Sequence, residues 1–521
     1  MNSIERNNLS PSTLSPRGTI LFWGTALGCA LALGAVLIRV LSMPKAWGAL
    51  ACLAICGLCG LIVWTHLKLP IVPALRLALL ASFWFRLEIN LFAIKKQGHE
   101  TPVGIVISLM LLLSLLLLVN HLYEGWRGRE QGGVFPFSFS AVSVLLAMFC
   151  GLSVLQGVET MLGIYGLWGL VSEVLICYVA AAYFTSTTSM RQIVLCFAGA
   201  ILLNAVLGIL QYFDLFGGWE LLGSTTGERE MKLPGMEVSR ASGLCESPNT
   251  FGWILVSLSP LMIAPVLIAK AQFKKWERQF CVAAFFLGIV ALILTFSRGS
   301  WIAFLCTMPV LVGFVLIAQP AAERGRLIVR LAGALLALVL FSLPFLNPLL
   351  ARAFGEDDGA AESRLPLMDV AMEMIKANPL LGVGMGSYEA VMRRYDFTAD
   401  FISDSFPYPV HNLYLHVAAE AGLPALLCLL TLVGIALWRG WQAWRSGPPL
   451  PRAIACGAII GMLAYLITAL KEPSSFDSGQ IRILFLLCGF LLAAKRAISF
   501  PISDPATATT SGEQESGFSG Q

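Results

Sequence analysis

The chain has 521 residues, of which 57% are hydrophobic and only 13% are charged. This charged share is about half that of a soluble globular domain, which excludes a soluble enzyme, a disordered chain and a fibrous protein. The net charge is +4 and no basic stripe or zinc-finger spacing is present, so nothing indicates nucleic-acid binding. Apolar residues instead form blocks of about 18 or more, the length of a membrane-crossing helix.

Hydrophobic segments follow one another along most of the chain, and we count fourteen. They lie near 19–41, 47–65, 71–94, 102–122, 136–155, 161–184, 192–216, 250–270, 279–297, 299–319, 327–347, 412–438, 453–470 and 480–496. The sequence therefore predicts an all-α polytopic membrane protein with about 12–14 transmembrane helices. The third segment contains Arg76, Arg86 and Glu88, and it could be bent or partly interfacial.

The connections between these segments predict the orientation and the domains. Lys and Arg are concentrated on one side if the segments alternate, and that side is predicted to be cytoplasmic. Two long polar connections, 217–249 and 348–410, then face outward. We predict a cytoplasmic N-terminal segment (1–18), a transmembrane catalytic domain (19–500) and a small, polar and disordered cytoplasmic tail (501–521).

The first long connection ends in a polar motif. Arg240 precedes Ser247-Pro248-Asn249, which suits a helix start with Asn249 capping its free N–H groups. A helix N-terminus beside an arginine can receive an anion. A solvated arginine next to a simple cap explains the same residues equally well.

A second motif, Ser297-Arg298-Gly299, separates two hydrophobic segments with almost no connection between them. Arg298 is therefore predicted to lie at the outer surface, where one segment ends and the next begins. It could bind an anion there, or it could extend to the membrane interface beside the aromatic Trp301.

The second long connection contains a predicted amphipathic helix that starts near Arg364, with Pro366 acceptable in its first turn. Its apolar residues recur at helical spacing, so it should lie on the bundle or at the membrane interface. They are Leu367, Val370, Ala371, Met374 and Ile375. Asn378 ends the helix, and the glycines of 382–386 fit a tight turn that returns over the bundle rather than a nucleotide site.

Two histidines follow this connection. His411 lies at the water boundary, where an imidazole can exchange protons, but it could equally be a helix-start residue bonded to the backbone. His416 and Glu420 are four residues apart, so they share a helix face and are predicted to form a buried pair. The five histidines of the chain do not have metal-site spacing, and no metal site is predicted.

Together these residues suit one kind of chemistry. Arginine binds phosphate through bidentate hydrogen bonds and keeps its charge, and histidine can accept a proton from a hydroxyl. Arg240, Arg298 and His411 at the outer face therefore suit group transfer from a diphosphate donor. The arginines would stabilise the leaving diphosphate, a role that a divalent metal often fills.

The ordered set of motifs resembles the bacterial O-antigen ligase and O-antigen polymerase family. The matching features are an arginine before a Pro-Asn helix start, a Ser-Arg-Gly between two segments, an amphipathic outer helix before Gly-x-Gly-x-Gly, and His-Asn before Glu-x-Gly. In this chain they occupy 240–249, 297–299, 364–386 and 411–422. The resemblance extends over about 190–470, and the N-terminal third matches in hydropathy alone. Members of the family usually have about a dozen spans, fewer than the fourteen counted here.

The resemblance implies a metal-independent, inverting glycosyltransferase without a cofactor, in the bacterial inner membrane, with its active site facing the periplasm. The implied donor is a glycan on undecaprenyl diphosphate, and the implied acceptor is a hydroxyl of lipid A–core or of another glycan. Membrane lipids are the further implied partners. The implied base is His411. The implied diphosphate-binding residues are Arg240, Arg298 and Arg364, and the supporting residues are Asn249, Asn412 and Glu420.

Three alternatives remain open at this level. A protein O-oligosaccharyltransferase shares the same motifs, although no extra acceptor-binding domain is visible in the sequence. A transporter or flippase of lipid-linked intermediates could use charges within the segments, such as Arg76 and Glu173, but would gather polar groups near the membrane midplane. A non-catalytic scaffold predicts that Arg240, Arg298 and His411 are dispensable for turnover.

Overall fold

The structure, a computed structural model, describes nine stretches of the chain. They are residues 71–84, 88–94, 103–128, 133–215, 230–233, 236–354, 364–399, 401–472 and 479–499. The chain divides into two compact units, Met1–Ile71 with Leu87–Ile89 and Val72–Arg86 with Asn90–Gln521. All the described residues except Ile71, Glu88 and Ile89 belong to the second unit. The predicted regions 1–18, 19–41, 47–65 and 501–521 lie outside the described residues.

The first half of the described chain is mostly helical. Its elements are α1 (Ile71–Ser82), β1 (Glu88–Ile94), β2 (Val103–Ser108), α2 (Leu109–Trp126), α3 (Phe137–Gln156), α4 (Thr160–Tyr183) and α5 (Thr187–Tyr212). β1 and β2 form a two-stranded sheet.

The second half begins with an antiparallel hairpin, in which Glu230 lies opposite Ser239. Its elements are β3 (Glu230–Leu233), β4 (Met236–Ser239), α6 (Pro248–Ile268), α7 (Lys275–Leu294), α8 (Arg298–Ala318), α9 (Ala321–Ser342), α10 (Leu346–Phe354), α11 (Arg364–Ala377), α12 (Tyr388–Val391), α13 (Ile402–Ser405), α14 (Leu413–Ser446), α15 (Pro449–Thr468) and α16 (Gly479–Ser499). Three short 3-10 turns, Lys270–Gln272, Leu343–Phe345 and Met392–Tyr395, complete it.

Long apolar helices dominate the part of the chain that the structure describes. Nine of its helices, α2 to α8 with α14 and α15, are long and apolar enough to cross a membrane. Each predicted hydrophobic segment between 136 and 319, and each between 412 and 496, overlaps one α-helix, whereas segment 327–347 covers most of α9 and reaches the start of α10. The predicted class, an all-α polytopic membrane protein, is confirmed.

Two of the predicted segments differ from the structure. Segment 71–94 is not one helix, because α1 has only 12 residues, ends at Ser82 and is followed by strand β1. Segment 102–122 likewise begins as strand β2, and α2 starts only after its N-cap Ser108. Both segments are rich in apolar residues, and such a run does not by itself distinguish a strand from a helix.

Helix α6 is the centre of the described bundle, since 89% of its most apolar stretch is buried. It packs against α5, α7, α8 and α15. The contact with α15 is made through Gly457 and Gly461, which are four residues apart on one face. A Cβ on Gly457 would lie 2.6 Å from the carbonyl oxygen of Pro260, and one on Gly461 would collide with that of Ser257. Small residues at this spacing allow two membrane helices to approach backbone to backbone.

Helix α14 is broken at Gly422, which has φ of +87° and ψ of 165°. Pro424 adds to the break, because it has no N–H to donate to the carbonyl of Glu420. The carbonyls of Ala419 and Glu420 accept hydrogen bonds from two backbone N–H groups of the 382–386 turn instead, at 2.8 and 3.1 Å. The break is therefore the point at which the second long connection (348–410), named the outer connection, docks on the bundle.

The 382–386 turn lies directly on this break. Its three glycines all have positive φ, a conformation that favours glycine. A Cβ on Gly382 would collide with the carbonyl of Glu420, and one on Gly384 would collide with the Cα of Gly157. The turn returns the connection over the bundle, as the sequence predicted, and its glycines allow the backbones to touch.

Helix α11 also docks on α14. The five residues of its predicted apolar stripe, Leu367, Val370, Ala371, Met374 and Ile375, are all buried. They form a small core of their own with Tyr388 and Val410. The amphipathic prediction is confirmed, and the helix starts at Arg364 as expected.

Candidate active site

The short connection between α7 and α8 is where the positively charged side chains converge. Phe296, in its middle, has φ of +52°, which is unusual for a bulky side chain, and it is fully buried. The carbonyl of Thr295 accepts a hydrogen bond from Arg240 Nε at 2.8 Å, and that of Phe296 accepts one from Arg352 Nε at 3.2 Å. Arg298 begins α8 two residues later. The backbone of this turn therefore binds the side chains of Arg240 and Arg352 close to the position of Arg298.

Arg240 and Asn249 interact directly. Arg240 Nη2 donates to Asn249 Oδ1 at 2.8 Å. The cap of α6 is Ser247, whose side chain accepts from the backbone N–H of Thr250, with Pro248 in the first turn. The prediction that Asn249 caps this helix was wrong. The side-chain amide orients the guanidinium, and the adjacent serine satisfies the helix end.

The start of α14 is tied to the end of α15. Asn412 Oδ1 accepts from the backbone N–H groups of Tyr414 and Leu415 at 3.0 and 3.1 Å, so Asn412 caps the helix. Its Nδ2 donates to the carbonyl of Leu470 at 3.2 Å. His411, which precedes the cap, is therefore held beside residues 469–471.

His411 is half-buried and is neutral at pH 7. Burial, and secondly the positive charge of Arg364, lower the pKa of its imidazole from 6.5 to about 4. Both causes disfavour the imidazolium form. The side chain is thus available to accept a proton at neutral pH, and Arg364 lies close enough to influence it.

Lys471, just beyond α15, was not singled out by the sequence. Its side chain lies against Gly299, where a Cβ would collide with it. Burial, together with the positive charges of Arg364, Arg298 and Arg352, lowers the pKa of its ammonium from 10.5 to about 8, and the adjacent Glu472 acts in the opposite direction. Sequence reasoning missed its role because Lys471 is an isolated lysine that belongs to no motif.

The structure therefore brings together three predicted residues, Arg240, Arg298 and Arg364, and two that were not predicted, Arg352 and Lys471. We refer to these five as the cationic cluster. All five are half-buried. Arg240 and Lys471 lie in connections, Arg298 and Arg364 begin helices, and Arg352 lies within α10, which explains why chain order alone does not reveal the set.

Glu420 lies apart from the cationic cluster, at the break in α14. Its Oε1 is 3.7 Å from His416 Nε2, so the predicted pair forms. The same oxygen accepts from the backbone N–H of Tyr388 at 3.3 Å, and the Glu420 carbonyl accepts from Ser153 Oγ at 2.7 Å. Glu420 joins the docked outer connection to the bundle.

Two charged residues considered for a transport path have structural partners. Glu173 Oε1 accepts from Arg482 Nε at 2.9 Å, between α4 and α16, and both side chains are largely buried. Arg76 Nη1 donates to the carbonyl of Tyr183 at 3.3 Å. These interactions join helices within the bundle.

Residues 283–430 match the family model described as O-antigen ligase. The family resemblance predicted from the motifs is confirmed, and it supports a role in glycan transfer during surface polysaccharide assembly at a membrane. No curated protein matches the chain in sequence. The O-antigen ligase match includes Arg298, Arg352, Arg364 and His411, whereas other residues of the site lie outside it.

Proposed function

We propose that the protein is a glycosyltransferase that moves a glycan from undecaprenyl diphosphate onto an acceptor hydroxyl. The observation that carries the proposal is the position of a neutral His411 next to a cluster of arginines. A proton acceptor beside fixed positive charge suits an acceptor hydroxyl and a diphosphate leaving group in one reaction. The O-antigen ligase match supports the same substrate class.

In the proposed reaction, His411 accepts the proton of the acceptor hydroxyl. The oxygen attacks the anomeric carbon, and the bond from that carbon to the phosphate oxygen breaks. The electron pair stays on undecaprenyl diphosphate, which gains one negative charge. Attack on the face opposite the leaving group inverts the anomeric centre.

Arg240, Arg298 and Arg364 are the proposed diphosphate-binding residues, and they stabilise the charge that develops on the leaving group. Asn249 orients Arg240, and Asn412 fixes the helix start that carries His411. Glu420 supports the docked outer connection. Because five cations supply the positive charge, we propose that the reaction needs neither a metal ion nor a cofactor.

We further propose that the protein lies in the bacterial inner membrane with the cationic cluster facing the periplasm. The concentration of Lys and Arg in the connections at the other ends of the helices supports this orientation. A surface-polysaccharide ligase or polymerase would then meet its lipid-linked donor and its acceptor, either lipid A–core or a growing glycan, on the same side.

The test uses the purified full chain in liposomes, with an undecaprenyl-diphosphate-linked glycan, candidate acceptors and EDTA. We expect wild type to release undecaprenyl diphosphate and to form a product of inverted anomeric configuration. His411→Gln should react about 10²–10⁴ times more slowly with an unchanged melting temperature. Lys376→Met, at an exposed residue of α11, is the matched control and should equal wild type.

The products distinguish the alternatives. A ladder of glycans indicates a polymerase, a single transfer to lipid A–core indicates a ligase, and glycosylation of a protein serine indicates a protein transferase. Movement of intact donor across the bilayer without release of undecaprenyl diphosphate would replace the proposal with a transporter. Loss of activity in EDTA, restored by a divalent metal, would overturn metal independence.

A further inference from the structure

We propose that Lys471 is an additional diphosphate-binding residue, which completes the site from outside the O-antigen ligase match. The identity of the natural ligand rests on the function proposed above, but the binding of a diphosphate does not. Residues 283–430 constitute the match, so Lys471 belongs to a different part of the chain. Three separate features of the structure carry the inference.

The first feature is the rigid backbone at Lys471. Its N–H donates to the carbonyl of Thr468 at 3.1 Å, which continues the end of α15. The two preceding carbonyls, of Ala469 and Leu470, accept from Leu413 N at 2.9 Å and from Asn412 Nδ2 at 3.2 Å. The residue is thus fixed to the same helix start that carries His411.

The second feature is the direction of the side chain. Lys471 extends across Gly299, the second residue of α8, and a Cβ at this position would collide with its Cδ and Cε. Gly299 follows Arg298 directly. The missing side chain therefore lets the lysine lie along the first turn of α8, next to the arginine that the sequence predicts to bind diphosphate.

The third feature is the charge around the ammonium group. Arg298 of α8, Arg352 of α10 and Arg364 of α11 face it, and Glu472 is the carboxylate that acts on it. The three guanidinium groups disfavour the charged form of the lysine, whereas the adjacent Glu472 carboxylate favours it. Together with burial, this environment lowers the pKa of Lys471 to about 8. A bound diphosphate offsets the repulsion and favours the protonated lysine.

During transfer, the Lys471 ammonium donates a hydrogen bond to the diphosphate as its charge increases by one unit. The proton of the acceptor hydroxyl goes to His411, and Lys471 keeps its own protons. The neighbouring arginines stay charged at every accessible pH. Lys471 is therefore the member of the cationic cluster through which alkaline pH can weaken donor binding.

The binding test uses P1,P2-dimethyl diphosphate, a diester whose two charges do not titrate over the range studied. The full chain in nanodiscs is titrated by calorimetry from about pH 6.5 to about pH 9.5. Wild type should lose affinity above about pH 8 and should take up protons on binding near that pH, measured in buffers of different ionisation enthalpy. Lys471→Met should bind about 10- to 100-fold more weakly at pH 7, with little dependence on pH.

Two variants sharpen the test. Lys471→Arg should keep its affinity above pH 8, because a guanidinium does not lose its proton there. Gly299→Ala should partly reproduce Lys471→Met, since the added Cβ displaces the lysine side chain. Lys376→Met is the control for loss of an exposed lysine and should bind as wild type does. A melting curve for each variant establishes that it is folded.

The inference is overturned if Lys471→Met binds the diester as tightly as wild type does, or if Lys471→Arg loses affinity at the same pH as wild type. Failure of the proposed function has a different signature. In that case wild type binds the diester with the expected pH dependence, yet releases no undecaprenyl diphosphate from the lipid-linked glycan. If His411→Gln binds the diester normally and does not transfer, the proposed function stands, and the role of Lys471 is decided separately by the affinities of its own variants.

Discussion

Positively charged side chains have different neighbours at the two ends of the helix bundle. Where α5 and α7 begin, Arg191 Nη2 donates to both carboxylate oxygens of Glu277, at 2.7 and 3.0 Å. Nearby, Lys270 Nζ lies 2.9 Å from Glu323 Oε2. These two cations are matched with carboxylates, and the pairs join neighbouring helices.

At the opposite end, cations gather with one another. Arg240 and Arg352 donate to backbone carbonyls of the α7–α8 turn. Burial and three guanidinium groups lower the pKa of Lys471, against the opposite effect of Glu472. The carboxylate pairs at the first end join helices, whereas the half-buried cations of the cationic cluster form the proposed diphosphate site. The comparison contrasts helix stabilisation at one end with proposed ligand binding at the other.

The largest expected effect contrasts one arginine from each end. Arg298→Lys should lower kcat/KM for the lipid-linked donor by about 100-fold, because an ammonium cannot reproduce the two-pronged hydrogen bond to phosphate. Arg191→Lys should leave kcat/KM within about twofold and lower the melting temperature instead. Transfer kinetics and thermal unfolding of both variants test this contrast, which fails if Arg298→Lys keeps full activity.

A second contrast lies within helix α14. Gly422→Ala should reduce the free energy of unfolding by about 1–3 kcal/mol or more, because its backbone conformation favours glycine and the new Cβ meets the carbonyl of Leu380. Gly434→Ala, with no atom within 4 Å of the added Cβ, should be neutral or slightly stabilising. Limited proteolysis of the outer connection should accelerate in the first variant alone. Equal stability of the two would show that the break does not hold the connection.

A smaller effect is expected at the paired end. Glu277→Gln removes the charge that binds Arg191 but keeps the shape, so the loss of stability should be about 1 kcal/mol, since Arg191 is one third exposed. The KM for the donor should not change. Thermal unfolding and donor titration measure the two quantities, and a raised KM would contradict the separation between the ends.

The smallest expected effect is the change of kcat/KM with pH near neutrality. Because the pKa of His411 is lowered to about 4, its imidazole can accept a proton at any pH above that value. Because the pKa of Lys471 is lowered to about 8, its ammonium is charged below pH 8 and loses its proton above it. The kcat/KM should therefore vary less than about twofold between about pH 5 and pH 7 and should fall on either side. An acid limb near the ordinary histidine value of about 6.5 would mean that His411 is solvated in the free protein.

Much of the site was predictable because local chemistry fixes it. The apolar stripe of α11, the turn at 382–386 and the pair of His416 with Glu420 follow from residue spacing, and the structure contains all three. The start of α6 was predicted only in part. Ser247 and Asn249 are both good capping residues. Ser247 is the cap because the side-chain oxygen of Asn249 accepts a hydrogen bond from Arg240 instead.

The sequence by itself determined that the chain is an apolar helical bundle, that arginines lie at the start of α8 and before α6, and that His411 lies at a helix boundary. Composition and hydrophobic spacing suffice for these features because they depend on neighbours in the chain. Only the tertiary structure decided that Arg352 and Lys471 join the site, and that Pro424 and Gly422 open α14 to receive the outer connection. These features depend on contacts between residues distant in sequence, since burial and neighbouring charge act through space and have no local pattern along the chain.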